Sequence, residues 1–156
     1  MSTDHESAEW PASHPGKTVS GVKDEVEGTI EGQVKNLSTG VSHLFSDPWI
    51  WRDEQAGTLR FHGVVPDPEK PGALVGILLT LASAAQPGGK FQVGAPEIKI
   101  LGYLKYHPDQ LFHAESGEVK LERQPENRIN GTLKFTTTSK GGEQYRVDVI
   151  FDIGAP

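Results

Sequence analysis

Residues 17–48 read KTVSGVKDEVEGTIEGQVKNLSTGVSHLFSDP, and this stretch decides the fold class because the period of its apolar residues changes at its end. Before Asp47-Pro48 the apolar residues recur in steps of three or four, which is the spacing of one helix face. They are Val19, Val22, Val26, Ile30, Val34, Leu37, Val41 and Leu44. After Pro48 apolar and polar residues mostly alternate, as in a strand with one buried face. The sequence therefore predicts an α+β protein, with an N-terminal amphipathic helix packed on a mainly antiparallel β-sheet of six to eight strands, as an open barrel or a sandwich.

The chain divides into three predicted segments. Residues 1–16 are polar, contain two prolines and carry Trp10 as the only bulky aromatic group, so their composition predicts a disordered tail. Residues 17–46 form the predicted helix, which four glycines weaken by about 1 kcal/mol each, so it needs a surface to dock on. Residues 47–156 form the predicted antiparallel β domain, most clearly in the hairpin near the C-terminus.

The bulk composition removes several classes of function. A net charge of −6 with no run of basic residues argues against a nucleic-acid partner. The chain has no cysteine, which excludes disulfides, thiolate metal sites and a cysteine nucleophile. Its start lacks the pattern of a secretory signal, and its longest apolar run is shorter than the ~20 residues that a transmembrane helix needs. We therefore expect a cytoplasmic protein without a transmembrane segment.

Aromatic residues supply the candidate ligand site. Trp49 and Trp51 alternate along an extended segment, so both side chains lie on one side of it, where they could line a pocket. Tyr103 and Tyr106, from the strand expected over residues 97–106, complete the candidate ligand-binding set. The leading interpretation is a non-catalytic binding module, without a cofactor or a metal, whose sheet cavity and helix hold a small apolar ligand or a protein partner.

Two other functions remain open. The first is an enzyme of the β-barrel type, with acid–base or metal chemistry at His62, His107, Asp109 or His113. The sequence contains neither a Gly-x-Ser-x-Gly nucleophile motif nor a Walker phosphate loop, so no catalytic residue is assigned. The second is a protein that binds a lipid surface or associates with a second copy through the N-terminal helix, with a homo-oligomer as one outcome.

Overall fold

The computed structural model describes residues 25–106 and 109–156, apart from the side chain of Gln55. These residues form nine β-strands and, as their only helical elements, two single turns of 3-10 helix at Gln55–Gly57 and Pro125–Asn127. None of the described helices is long and apolar enough to cross a membrane. The strands are β1 (Glu25–Asn36), β2 (Val41–Asp53), β3 (Leu59–Pro66), β4 (Leu74–Leu81), β5 (Gly89–Gln92), β6 (Ile98–Lys105), β7 (Gln110–Gln124), β8 (Arg128–Thr137) and β9 (Tyr145–Ile153).

Eight of these strands close into an antiparallel barrel. The order around the barrel is β1, β2, β3, β4, β6, β7, β8 and β9, and β9 pairs back with β1. The long strand β7 has two partners along one edge: its first residues pair with β6, and its second half pairs with the short strand β5. Apart from the closing pair β9–β1 and the intervening strand β5, neighbours in the barrel are also neighbours along the chain, so tight loops suffice to connect them.

The predicted helix over residues 17–46 is wrong, and with it the α+β class, because residues 25–36 and 41–53 form the β1–β2 hairpin. Residues 17–24, and the predicted tail at 1–16, lie outside the described residues. The antiparallel sheet after residue 47 is confirmed, but it is a closed barrel rather than an open one or a sandwich. Because the helix is absent from 25–46, the proposal of a helical lipid-surface arm loses its basis.

Glycine explains why the strand pattern of β1 is similar to a helical one. The strand alternates regularly between buried and more exposed residues, but two of its inward positions are glycines. When only bulky apolar residues are counted, a period of two then becomes a period of four, close to the helical 3.6. The inward positions are Val26, Gly28, Ile30, Gly32, Val34 and Asn36.

The two inward glycines of β1 are required by the close approach of β9. A Cβ atom at Gly28 would lie 2.6 Å from the carbonyl oxygen of Asp152, and one at Gly32 would lie 2.6 Å from the Cα atom of Val149. Real Cβ atoms do not come this close to a backbone. These glycines therefore belong to the packing of a tightly closed barrel.

The barrel interior is filled by side chains. Eight strands enclose a space just wide enough for inward residues from all sides to meet. Phe61 and Phe151 pack in the middle with ring centroids 4.9 Å apart, and Tyr103 and Tyr145 pack nearer one end with centroids 4.7 Å apart. The same inward side chains form one continuous apolar cluster that includes residues from all eight barrel strands.

The barrel wall is interrupted between β2 and β3. The two strands pair only from Trp51–Asp53 to Arg60–His62, although both continue toward the end of the barrel where β1 ends. Beyond this point β2 pairs only with β1, and β3 pairs only with β4. We call this interruption the seam, defined by residues 41–50 of β2 and 63–66 of β3.

Candidate functional site

The side chain of Asp47 bridges β2 and β3 at the seam. Its Oδ2 atom accepts a hydrogen bond from the backbone N–H of Val64 at 2.8 Å, and its Oδ1 atom accepts one from the N–H of Trp49 at 3.0 Å. A side chain therefore stands where a ladder hydrogen bond would otherwise join the strands. Gly63 leaves the space for it, because a Cβ there would lie 3.3 Å from the Asp47 carboxylate.

A pocket lies inside the seam, at the end of the barrel where β1 ends. Its walls are apolar and aromatic, and a few polar groups stand at its mouth. Its free space is about 10 Å³, which is enough for one water molecule. The lining residues are Val34, Asn36, His43, Leu44, Phe45, Val65, Pro68, Glu69, Val75, Tyr103 and Tyr145.

The loop 67–73 between β3 and β4 covers the mouth of this pocket, and we call it the strap. It is held in shape by its own backbone, since the N–H of Asp67 donates to the carbonyl of Ala73 at 2.9 Å. It is fastened to the barrel by Glu69, whose carboxylate accepts a hydrogen bond from Asn36 Nδ2 at 3.2 Å. The same carboxylate lies 3.5 Å from His43 Nε2 on β2. Glu69 thus links the strap to β1 and β2 across the open side of the seam.

A polar cluster of Lys105, Glu143 and Tyr145 lies beside the pocket at the end of the barrel. Lys105 Nζ donates to Glu143 Oε1 at 3.0 Å and to the Tyr145 hydroxyl at 3.1 Å, and that hydroxyl donates to Glu143 Oε1 at 2.7 Å. The hydrogen bond from Tyr145 lowers the pKa of Glu143, with Lys105 contributing in the same direction. Burial, and then the hydrogen bond to Glu143, raise the pKa of Tyr145. Tyr145 is therefore a neutral hydrogen-bond donor at physiological pH.

The electrostatic environment of the pocket is acidic. Burial raises the pKa of Tyr103, and the carboxylates of Asp67, Glu69 and Glu143 add to the rise. Against these three carboxylates stand Lys105, which already pairs with Glu143, and the imidazole of His43, which faces Glu69. The site thus combines apolar walls with a surplus of negative charge and aromatic faces, which are the features that receive cations.

The structure separates the four aromatic residues that the sequence groups as a ligand site. Tyr103 lines the pocket, while Trp51 and Tyr106 are buried together on the outside of the barrel. Trp49 shares the outer side of β2 with Trp51 but is 46% exposed. Only Tyr103 belongs to the pocket, and the assignment of the other three stays a prediction that the pocket does not support.

The residues of the alternative enzyme site do not meet in the described part of the chain. His62 is buried on β3, whereas Asp109, in the turn before β7, and His113, on β7, are exposed. His107 lies outside the described residues. Within residues 25–106 and 109–156, no group of three side chains of metal-binding type is placed to hold an ion.

Sequence reasoning missed most of the pocket. Tyr145 carries a signal, because it begins the clearest alternating strand of the chain and so falls on its inward face. Asn36, His43 and Glu69 carry none, since they belong to a strand misinterpreted as a helix and to a loop. These three side chains contact one another only because of the register of the β1–β2 hairpin and the fold of the strap.

Comparisons with protein-family models, with curated protein sequences and with solved structures gave no significant match.

Proposed function

We propose that this barrel is a non-catalytic binding protein whose seam pocket takes a small apolar molecule with a positively charged end, such as a primary amine. The observation that supports this most is the seam itself. In a closed barrel of eight strands, a complete wall would leave the interior without side access. Here the side-chain carboxylate of Asp47 takes the place of the backbone hydrogen bonds between β2 and β3, beside a pocket of aromatic and aliphatic side chains.

The charge pattern favours an amine over an acid. An apolar body fits against Val34, Val65 and Val75, and its ammonium group would approach Glu69 or the faces of the two tyrosines. A precedent at a ring of the pocket is Lys105, whose Nζ lies 5.5 Å from the centroid of the Tyr145 ring. A carboxylate ligand would meet the existing surplus of negative charge and be repelled.

Access requires movement of the strap. Sites for small molecules are commonly ~300 Å³ or more, so about 10 Å³ of free space is too little for a ligand while the strap is in place. The strap is attached to the barrel through exposed or half-buried polar contacts of Glu69, which are weak individually. A ligand that replaces these contacts with its own ammonium group would compensate for their loss.

Binding can be tested with benzylamine, benzyl alcohol and benzoate, three probes that share one ring and differ in charge. We expect backbone amide shifts in ¹H–¹⁵N spectra at residues 43–45, at Val65, Asp67 and Glu69, and at residue 145, with benzylamine binding tightest and benzoate weakest. Glu69→Gln should reduce the preference for benzylamine over benzyl alcohol, because it removes the charge at the mouth.

A pair of matched variants shows whether the shifts come from the seam pocket. Val65→Trp fills the pocket and should weaken benzylamine binding at least about ten-fold, which corresponds to about 1.4 kcal/mol. Ile150→Trp makes a comparable change on the exposed side of β9 and should leave binding unaltered. Equal binding by both variants, or no shift with any probe, would refute the pocket as the site, and tighter binding of benzoate would refute the charge argument.

A further inference from the structure

An open groove lies on the outer surface of the barrel, where β7, β8 and β9 run side by side, and we call it the outer groove. Its rim consists of outward side chains, and the inward residues that alternate with them contribute only their backbone, as the floor. The free space in the groove is about 210 Å³, whereas one water molecule needs only ~10–15 Å³. The lining residues are Ser116, Gly117, Lys134, Phe135, Thr136, Arg146, Val147 and Asp148.

Two irregularities of β7 lie at one side of the outer groove. The ladder between β7 and β8 shifts its register between Ala114 and Ser116, and such a bulge bends the strand that carries it. Gly117 follows directly, and a Cβ atom there would lie 2.5 Å from the Cα atom of Phe135 in β8. The bulge and the close approach at Gly117 therefore place a bend of β7 at the groove.

Two basic residues face each other across the β1–β9 ladder at the edge of the outer groove. Lys35 of β1 is directly opposite Arg146 of β9, and directly opposite residues have Cβ atoms about 4.5–5.5 Å apart. Like charges in this position repel each other and destabilise a sheet. A third basic residue, Lys134 of β8, stands on the rim of the groove. The fold thus collects three cations from remote parts of the sequence, although the sequence contains no run of basic residues.

Acidic side chains do not neutralise these cations. None of the three forms an ion pair with a residue at 25–106 or 109–156. Elsewhere on the outer surface such pairs do form, as between Lys120 and Glu122 at 3.6 Å. The lining of the outer groove contains one carboxylate, that of Asp148, so positive charge is in excess there.

Hydroxyl groups continue the row of the two opposed cations. Thr136 of β8 is directly opposite Arg146, and Ser116 of β7 is directly opposite Thr136. Hydroxyls can donate hydrogen bonds to an anion, and a guanidinium binds phosphate oxygens with two parallel hydrogen bonds. A phosphate monoester carries a charge of about −1.5 to −2 at pH 7 and three acceptor oxygens. Such a group matches the outer groove in both charge and hydrogen bonding.

We propose that the outer groove binds a phosphate group, with Arg146 and Lys35 as its charged contacts and Thr136 as a hydrogen-bond donor. The bound anion would relieve the repulsion between the two cations. A free phosphate and the headgroup of a phosphatidic acid present the same chemistry, and the experiment separates these two sources. The outer groove is distinct from the seam pocket and has the opposite charge preference, so neither proposal depends on the other.

Inorganic phosphate is the first probe, titrated into the full chain at constant pH against sodium chloride of matched ionic strength. We expect saturable amide shifts in ¹H–¹⁵N spectra at residues 35, 116–117, 134–136 and 146. Arg146→Gln should weaken phosphate binding at least about ten-fold. Lys120→Gln is the matched control, because it removes an exposed cation of the same outer surface that already pairs with an acid, and it should leave binding unaltered.

The outcomes decide between a site and general charge attraction. Shifts that do not saturate, or equal affinities of Arg146→Gln and Lys120→Gln, would identify an adventitious ion only and overturn the proposal. Lys35→Gln is a second, independent variant, and an unaltered affinity would overturn the role of the opposed cations. Sedimentation with phosphatidylcholine vesicles, with and without phosphatidic acid, separates the sources: binding that needs phosphatidic acid and Arg146, without binding of free phosphate, assigns the site to a headgroup. Binding of neither form overturns the proposal.

Discussion

Replacing Ile30 with aspartate is expected to destabilise the barrel by more than about 4 kcal/mol, enough to unfold many domains of this size. Ile30 is fully buried inside the barrel, and its partner across the β1–β2 ladder is Asp47. The substitution would place a second carboxylate beside one that is already buried, where water cannot solvate the charge. Urea unfolding followed by tryptophan fluorescence measures the loss.

Two controls show whether the loss comes from charge inside the barrel. Ile30→Val keeps the site apolar and should cost only about 1 kcal/mol. Glu31→Ala changes the next residue, which is exposed on the outer side of β1, and should stay within about 0.5 kcal/mol. A small effect of Ile30→Asp, similar to that of Glu31→Ala, would contradict the inward position of Ile30.

Gly32→Ala is expected to destabilise the protein by about 2 kcal/mol or more. The added methyl group would press on the backbone of Asp148 and Val149 in β9, which can only move if the barrel opens locally. The sign of this effect is informative. In a helix the same substitution would stabilise by about 1 kcal/mol, because alanine is the better helix former.

Gly40 provides the matched control for Gly32. It lies in the turn between β1 and β2 with φ 79°, and a Cβ there would meet nothing within 4 Å. Gly40→Ala therefore reports only the cost of the left-handed backbone, about 1 kcal/mol. If Gly32→Ala raised the midpoint of thermal unfolding while Gly40→Ala lowered it, the strand assignment of β1 would be wrong.

The strands near the C-terminus could be predicted because their inward positions carry large apolar residues without a gap. In β9, Tyr145, Val147, Val149, Phe151 and Ile153 are all buried, and the alternation is visible in the sequence. In β1, the same alternation is hidden because Gly28 and Gly32 occupy inward positions. Those glycines are set by the approach of β9, a contact between the two ends of the sheet, which a local pattern does not contain.

The candidate site was harder to predict than the fold for the same reason. The seam exists because the β2–β3 ladder stops at Trp51. Pro48 has no N–H to donate to a ladder, but its presence in the sequence does not tell which neighbouring strand is lost. Asp47 illustrates the difficulty. The pair Asp47-Pro48 indicates an end of regular structure, whereas in the fold Asp47 continues β2 and hydrogen-bonds to Val64, seventeen residues away.

Residue-resolved hydrogen exchange of the backbone amides, without and with saturating benzylamine, tests the central claim that the barrel opens at a ligand-binding seam. In residues 42–47, the alternate amides that point away from β1 should exchange at least about a hundred-fold faster than those that point toward it, since they lack ladder partners. Benzylamine should slow the fast set and leave β8 unchanged. Uniform protection along β2, with no response to benzylamine, would show a closed wall without a pocket entrance and would contradict the account.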